Sequence, residues 1–245
     1  MHPHPTVTRD EWLTARKTLL DSEKEFTRLR DRISAERRAL PWVKVEKTYT
    51  FDTPEGPKTL SELFDGRSQL VVKHFMLGPG WSEGCLGCSF GSDHIGGALV
   101  HLEHHDVSFV AVSRAPLSEI ETYKKRMGWH FDWVSSHRSD FNFDYHVSFT
   151  EEQRKSPVFY NYRMIETGMD ELPGLSVFCK DEAGNIFHTY SSYARGSEEL
   201  LTTYMVLDLT PKGRDENGPN HNLGDWVKRH DQYADAATAA SCCRD

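Results

Sequence analysis

No stretch of this 245-residue sequence approaches the ~20 consecutive apolar residues that span a bilayer, so a transmembrane helix is excluded. Basic residues are in the minority, 29 Lys and Arg against 37 Asp and Glu, which leaves a net charge of −8. The cationic footprint that neutralises phosphates is missing, and nucleic acid is not an expected partner. The opening residues, Met1-His-Pro-His-Pro-Thr-Val-Thr-Arg-Asp, lack the apolar core of a secretory signal. Cysteine is scarce: Cys85, Cys88, Cys179, Cys242 and Cys243 are an odd count of five, which does not build a secreted disulfide scaffold. The expectation is a soluble cytoplasmic protein with reduced thiols, in which a Cys-x-x-Cys pair is either redox-active or a pair of metal ligands. Aromatic residues are present in strength, 13 Phe, 9 Tyr and 6 Trp, enough for a core and too many for a disordered chain. The length fits one large domain, or one domain with extensions.

Residues 8–38 read as one long polar helix, with Thr8 as cap and Glu11 three residues on as its capping-box partner. Leu19, Phe26 and Ile33 fall seven apart with Leu29 beside them, a narrow apolar stripe on a charged rod. The stripe fits either a homodimerisation arm or a helix laid on its own domain. Pro41 ends the helix, and residues 43–51 alternate like a strand. After the turn cluster Asp52-Thr-Pro-Glu-Gly-Pro-Lys, the residues Leu60, Leu63 and Phe64 suggest a short helix. Buried strands are predicted over 69–76 and 107–112, and helices over 85–105, 117–127 and 197–207. Residues 175–179 and 186–190 flank Asp181-Glu-Ala-Gly-Asn as a hairpin. Residues 137–172 are aromatic and polar without a clean period, 210–222 read as an exposed loop, 225–233 as a short helix and 234–245 as a mobile tail. Strands alternating with helices, then a hairpin and a helix, predict a central α/β sheet with helices on both faces.

The sharpest local signal is Trp81-Ser-Glu-Gly-Cys85-Leu-Gly-Cys88, which follows a predicted strand and opens a predicted helix. A thiolate is the nucleophile, and an ordinary Cys with a pKa of about 8.5 is mostly protonated at neutral pH. Unpaired N–H groups and the macrodipole at a helix start favour the anion. The three-residue offset places the second sulfur one turn on. Cys85, the more exposed, is then the attacking thiol, and Cys88, turned inward, resolves the mixed disulfide. A structural pair of small apolar cysteines and a zinc site are the rival readings. Zinc requires two more ligands, yet His101 and His105 lie roughly 24 Å or more from Cys85 along a helix. His101 and His105 are spaced i, i+4, which suits one ion, but Leu102 stands where a zinc protease carries Glu. His101, His104 and His105 therefore read as polar residues at an exposed helix end, and no resident metal or cofactor is expected.

The order of strand, Cys-x-x-Cys helix, strand, helix, hairpin and helix resembles thioredoxin-like proteins. The run from Tyr49 to Phe64 resembles the opening of the peroxiredoxin branch of that fold. More closely, the chain resembles a bacterial thioredoxin-like family labelled predicted dithiol–disulfide oxidoreductases. The runs that carry this include Leu40-Pro-Trp-Val-Lys-Val, His74-Phe-Met-Leu-Gly-Pro, Gly84-Cys-Leu-Gly-Cys-Ser, Leu172-Pro-Gly-Leu-Ser-Val-Phe and Phe187-His-Thr-Tyr-Ser-Ser-Tyr-Ala-Arg-Gly, spread over residues 40–233. The resemblance implies an N-terminal helical arm over 1–40, a thioredoxin-like domain over 41–209 and a C-terminal extension over 210–245. It implies Cys85 and Cys88 as the redox pair, and Pro173 as the loop proline, usually cis in such folds, that faces them. No Asp stands where thioredoxin-like proteins keep a buried base; Lys73 and His74 are there instead, and His74 is a candidate proton carrier near neutral pH. Arg114, directly after a predicted strand, is a candidate for stabilising the thiolate or binding an anionic substrate, or else for a salt bridge. Trp81 is a candidate cover for the site.

Three functions follow. The first is a dithiol–disulfide oxidoreductase, with a protein or small-molecule disulfide as substrate and a reductant such as thioredoxin or glutathione. The second is a thiol peroxidase, for which Ser82 stands three residues before Cys85 as in peroxiredoxins while Pro79 is one residue too close; Cys85 would form a sulfenic acid that Cys88 condenses, with Arg114 polarising the peroxide. The third is a non-catalytic thioredoxin-like binding protein.

Overall fold

The computed structural model describes residues 4–233. The tail over 234–245, with Cys242 and Cys243, lies outside the described residues. The chain divides into two compact units, one ending at Trp42 and the other beginning at Val43.

The first unit is α1 (Arg9–Arg38), and its start is the expected capping box. The Glu11 N–H donates to Thr8 Oγ1 at 3.3 Å, and the Thr8 N–H donates to the Glu11 carboxylate at 2.8 Å. Acidic Asp10 and Glu11 in the first turn and basic Arg37 and Arg38 in the last complement the helix dipole. No residue of α1 is buried, and Trp12, Leu19, Phe26 and Ile33 lie exposed along it.

The second unit begins with β1 (Val43–Lys44), β2 (Thr50–Phe51), β3 (Lys58–Thr59) and β4 (Gln69–His74). It continues through α2 (Leu86–Ser92), α3 (Leu99–His104), β5 (Val107–Ser113), α4 (Leu117–Met127), β6 (Asp132–Ser135) and α5 (Phe141–Asp144). It ends with β7 (Val158–Tyr160), β8 (Arg163–Ile165), β9 (Gly174–Lys180), β10 (Ile186–Tyr193) and α6 (Thr202–Leu207), and residues 210–233 belong to the same unit. A six-stranded mixed sheet runs in the order β1-β10-β9-β4-β5-β6. Strands β4, β5 and β6 are mutually parallel, and β9 returns antiparallel to β4 and pairs with β10 as a hairpin. A central β4–α–β5 crossover flanked by an antiparallel hairpin is a thioredoxin-like arrangement.

Alternation along the central strands divides the core in two. Phe109 and Ala111 of β5 face α4 through Ile120, Tyr123 and Met127, and Leu99 and Leu102 of α3 pack on the same cluster. Val110 and Val112 of β5, with Leu70 and Val72 of β4, face the other way onto Phe51, Leu60, Phe64 and Phe141. Each strand is therefore covered on both faces, which explains its near-continuous apolar run.

Several elements depart from the sequence reading. The alternating run over 43–51 is split, because β1 pairs with β10 whereas β2 pairs with β3. The predicted helix over 85–105 is broken into α2, a 3₁₀ turn (Gly96–Ala98) and α3. Glycine is a poor helix former, about 1 kcal/mol worse than Ala per residue, and four fall in this run, Gly87, Gly91, Gly96 and Gly97. A Cβ on Gly91 would come within 3.0 Å of Lys73 Nζ, whereas Gly96 and Gly97 face open space. The helix over 197–207 is likewise a 3₁₀ segment (Ala194–Leu200) followed by α6, and 225–233 holds only short 3₁₀ turns. By contrast α4 spans its predicted residues, closed by Gly128 at φ 62°.

The glycines give a paired test of stability. Gly128→Ala forces a side chain into the left-handed region and should cost about 1–2 kcal/mol. Gly97→Ala meets no atom and should stabilise by about 0.4–1 kcal/mol through the unfolded chain. Urea midpoints that shift in opposite directions are expected.

Candidate active site

Strand β4 delivers the chain to the site. It ends at His74, and a loop over 75–84 returns so that the Cys85 N–H donates to the Met76 carbonyl at 3.0 Å. Cys85 is the N-cap of α2, with φ −51° and ψ 135°. Its sulfur receives the thiol of Cys88 and the backbone N–H groups of Gly87 and Cys88. Burial opposes ionisation, but these donors win, the thiol of Cys88 contributing most, and the Lys73 ammonium adds a smaller pull. The Cys85 thiol is lowered to about 6. Cys88, only 5% exposed, is pushed the other way by its hydrogen bond to Cys85 and by burial. Both are free thiols. One sulfur is thus held as an anion at the half-buried position, and its neighbour one turn on is held as a thiol.

Lys73 lies beneath the pair. Its ammonium donates to the Cys88 carbonyl at 2.9 Å and to Ser92 Oγ at 2.8 Å. Burial lowers its pKa to about 8, and the two cysteine sulfurs partly offset that fall. His74 points to the opposite face of the sheet. Its Nε2 shares a 2.8 Å hydrogen bond with Ser176 Oγ, and its ring stacks on Phe141 and Tyr145. Burial drives His74 down to about 3, so it stays neutral and is not a proton carrier near pH 7. Of the two candidates, Lys73 is the residue that reaches the cysteines.

The backbone at Cys85 is fixed by a chain of hydrogen bonds with no signal in the sequence reading. Arg229 Nε donates to Tyr123 Oη at 2.9 Å, Tyr123 and Ser89 hydroxyls meet at 2.9 Å, and Ser89 Oγ donates to the Cys85 carbonyl at 2.8 Å. The same guanidinium donates to the Gly84 carbonyl at 2.7 Å and pairs with Glu83 at 2.9 Å. Gly84 is required here, since a Cβ would sit 2.6 Å from Phe75 and 2.8 Å from Tyr123.

The remaining candidates separate. Pro173 precedes β9, whose Gly174 pairs with His74, and it lines the same cavity as Cys85 and Cys88. Its peptide is trans, since no cis bond occurs among the described residues. Trp81 and Ser82 line a different cavity, with Leu77, Glu119 and Arg126. Arg114 takes the salt-bridge alternative: Nε donates to Glu171 at 2.6 Å and Nη2 to Asp170 at 3.3 Å. Glu171 is 1% exposed and also accepts from Ser148 Oγ at 2.6 Å. His94 is engaged with Thr203, and His101, His104 and His105 are exposed at the end of α3. Among the described residues no three His, Cys, Asp or Glu side chains gather in a way that could hold a metal ion.

The sequence matches, over residues 1–233, the family described as "Bacterial protein of unknown function (DUF899)", and the chain belongs to that family. Among curated proteins none matches. Similar solved structures include peroxidoxin BcpB from Mycobacterium tuberculosis, at 13% identity and TM-score 0.45, covering 69% of this chain and 97% of that one. A peroxiredoxin Q mutant from Xanthomonas campestris is similar at 11% identity and TM-score 0.42, covering 66% and 91%. The mitochondrial 2-cys peroxiredoxin from Plasmodium falciparum is similar at 15% identity and TM-score 0.40, covering 66% and 88%. At these identities and scores nothing about the chemistry follows from the likeness.

Two measurements check the site. The rate of Cys85 alkylation by iodoacetamide, followed by mass spectrometry, should rise with pH to half-maximum near 6. Removing the nearby cation in Lys73→Met should move that midpoint upward, because the thiolate loses a favourable charge. Arg114→Ala should leave the midpoint unchanged but cost about 3–5 kcal/mol of stability in urea unfolding, since it leaves the buried Glu171 without its partner.

Proposed function

We propose that this member of the family is a thioredoxin-like dithiol–disulfide oxidoreductase, with Cys85 attacking and Cys88 resolving. The observation that carries the reading is the asymmetry of the pair. Cys85 is lowered to about 6 by the Cys88 thiol and two N–H donors, while Cys88 is raised and buried. At neutral pH the first is a nucleophile and the second retains its proton until it is needed.

The steps balance as follows. The Cys85 thiolate attacks one sulfur of a substrate disulfide, forming a mixed disulfide as the substrate S–S bond breaks. The departing thiolate takes a proton from solvent. Loss of the Cys85 anion removes the charge that raised Cys88 and that helped hold the proton on Lys73, so Lys73, already lowered to about 8, releases its proton to solvent and the free amine accepts the proton of the Cys88 thiol. Cys88 then attacks Cys85, the Cys85–Cys88 bond forms, and the second substrate thiolate leaves. Two electrons pass from the dithiol to the substrate, and a thiol reductant restores the pair.

The peroxidase alternative drew on Arg114 and Ser82. Arg114 is engaged by Glu171 and Asp170, and Ser82 lines the other cavity. These placements favour the disulfide reading.

In a single-turnover test, fully reduced protein freed of reductant is mixed with bis(2-hydroxyethyl) disulfide or, separately, with hydrogen peroxide, and thiols are trapped for mass spectrometry. The expected result is a Cys85–Cys88 disulfide formed faster with the disulfide substrate. Cys85→Ser should abolish it, a loss of at least a hundredfold, and Cys88→Ser should stop at the Cys85 mixed disulfide. Oxidation by peroxide alone would make the protein a peroxidase, and oxidation by neither would make it a binding protein.

A further inference from the structure

A cavity of about 250 Å³ opens beside Cys85 and Cys88. Drug-sized sites run at about 300–1,000 Å³, so this one takes a single arm of a substrate rather than a folded partner. Its wall is mainly carbon: Ile95, Pro173, Leu175, Leu200, Leu201 and Leu223 contribute. Its two cations are occupied. Lys73 is held by the Cys88 carbonyl and Ser92, and Arg195 grips Glu198 through two hydrogen bonds of 2.6 and 2.9 Å. Glu198, which also pairs with Arg214 at 3.2 Å, places a carboxylate on the lining. A peptide-like arm ending in carboxylates would find these cations already paired with Glu198 and the Cys88 carbonyl, and would lose its own hydration against leucine.

We infer that the cavity selects small-molecule disulfides that carry an uncharged hydrocarbon arm, which lies along Leu175, Leu201 and Leu223 while its sulfur meets Cys85. The inference rests on the dithiol–disulfide reading above and names its substrate class. The reaction is the exchange already written: the alkyl-bearing sulfur bonds to Cys85, the other arm departs as its thiol or thiolate, and Cys88 then releases the alkyl thiol. Burying one methylene contributes about 0.8 kcal/mol at most, which corresponds to a factor of up to about four per added CH₂.

The test uses reduced full-length protein and a series of alkyl 2-pyridyl disulfides with methyl, propyl and pentyl arms. Release of pyridine-2-thione gives the second-order rate constant, and the same series with a small free thiol in solution corrects for intrinsic reactivity. The expected result is a rise of about two- to fourfold per methylene. A pentyl arm ending in a carboxylate should fall at least tenfold below the unsubstituted arm. Leu223→Asp should flatten the chain-length dependence. Ser197→Trp, which crowds the cavity from another segment, should do so for the longest arm first and keeps the test open if Leu223→Asp does not fold. Rates that are independent of arm length, or a carboxylate arm that reacts as well, would overturn the substrate class while leaving the dithiol chemistry intact. Failure of Cys85 to react with any member would overturn both.

Discussion

Everything at the site depends on which face of β4 each residue takes. Leu70, Val72 and His74 point to one side of the sheet, where Leu70 and Val72 are fully buried. Lys73, between the last two, points to the other and lies under α2. A slip of one residue would reverse every side chain. It would drive an ammonium into the cluster around Phe141 and Phe178 and put an imidazole under the cysteines. The burial of Leu70 and Val72 therefore fixes the position of the one cation beneath the pair. Stability and chemistry are set by the same register.

The charges at the site are uneven by construction. Burial alone would neutralise Lys73 and protonate both thiols. The Cys88 thiol, together with backbone donors at the start of α2 that folding fixes in place, holds one sulfur as an anion. That anion in turn helps retain the proton on Lys73 and pushes Cys88 to keep its own. In the proposed exchange, the charge on Cys85 disappears as it enters a mixed disulfide, and both effects reverse together. Lys73 becomes a better proton acceptor and Cys88 a better donor at the step that needs them. The chain's overall excess of acid plays no part, because the fields that matter act over a few ångströms in a partly desolvated setting.

Features that depend on neighbours in sequence were legible. The Thr8–Glu11 capping box, the span of α4 between Pro116 and Gly128, the β9–β10 hairpin and the placing of Cys85 at the start of α2 all rest on contacts within a few residues. The facing of Lys73 and His74 was not, because Leu70, Val71 and Val72 are all apolar and give no parity along a strand covered on both sides. Arg114 illustrates the same limit. Its partners Glu171 and Asp170 are 57 and 56 residues away, so only folding chooses between a salt bridge and the thiolate. The continuous helix over 85–105 failed for a more local reason: its apolar positions kept helical spacing while its glycines weakened the backbone between them.

The segment after α6 has the most to say about how the site is built. Residues 210–233 read in sequence as loop and short helix appended to a finished domain. In the structure Arg229 reaches the carbonyl of Gly84 and the hydroxyl of Tyr123, His230 meets Asp93 at 2.7 Å, and Leu223 enters the cavity beside the cysteines. Val227 is buried with Phe90 and Tyr204, and Trp226 packs on them. A guanidinium 145 residues downstream thus orients the peptide that precedes the nucleophile. The β4–α2 unit supplies the sulfurs and the cation, but the returning chain supplies one wall of the cavity and the last restraint on the Cys85 loop. On the proposed reading, substrate choice and thiol reactivity therefore depend on residues that a thioredoxin-like core, taken alone, would leave out.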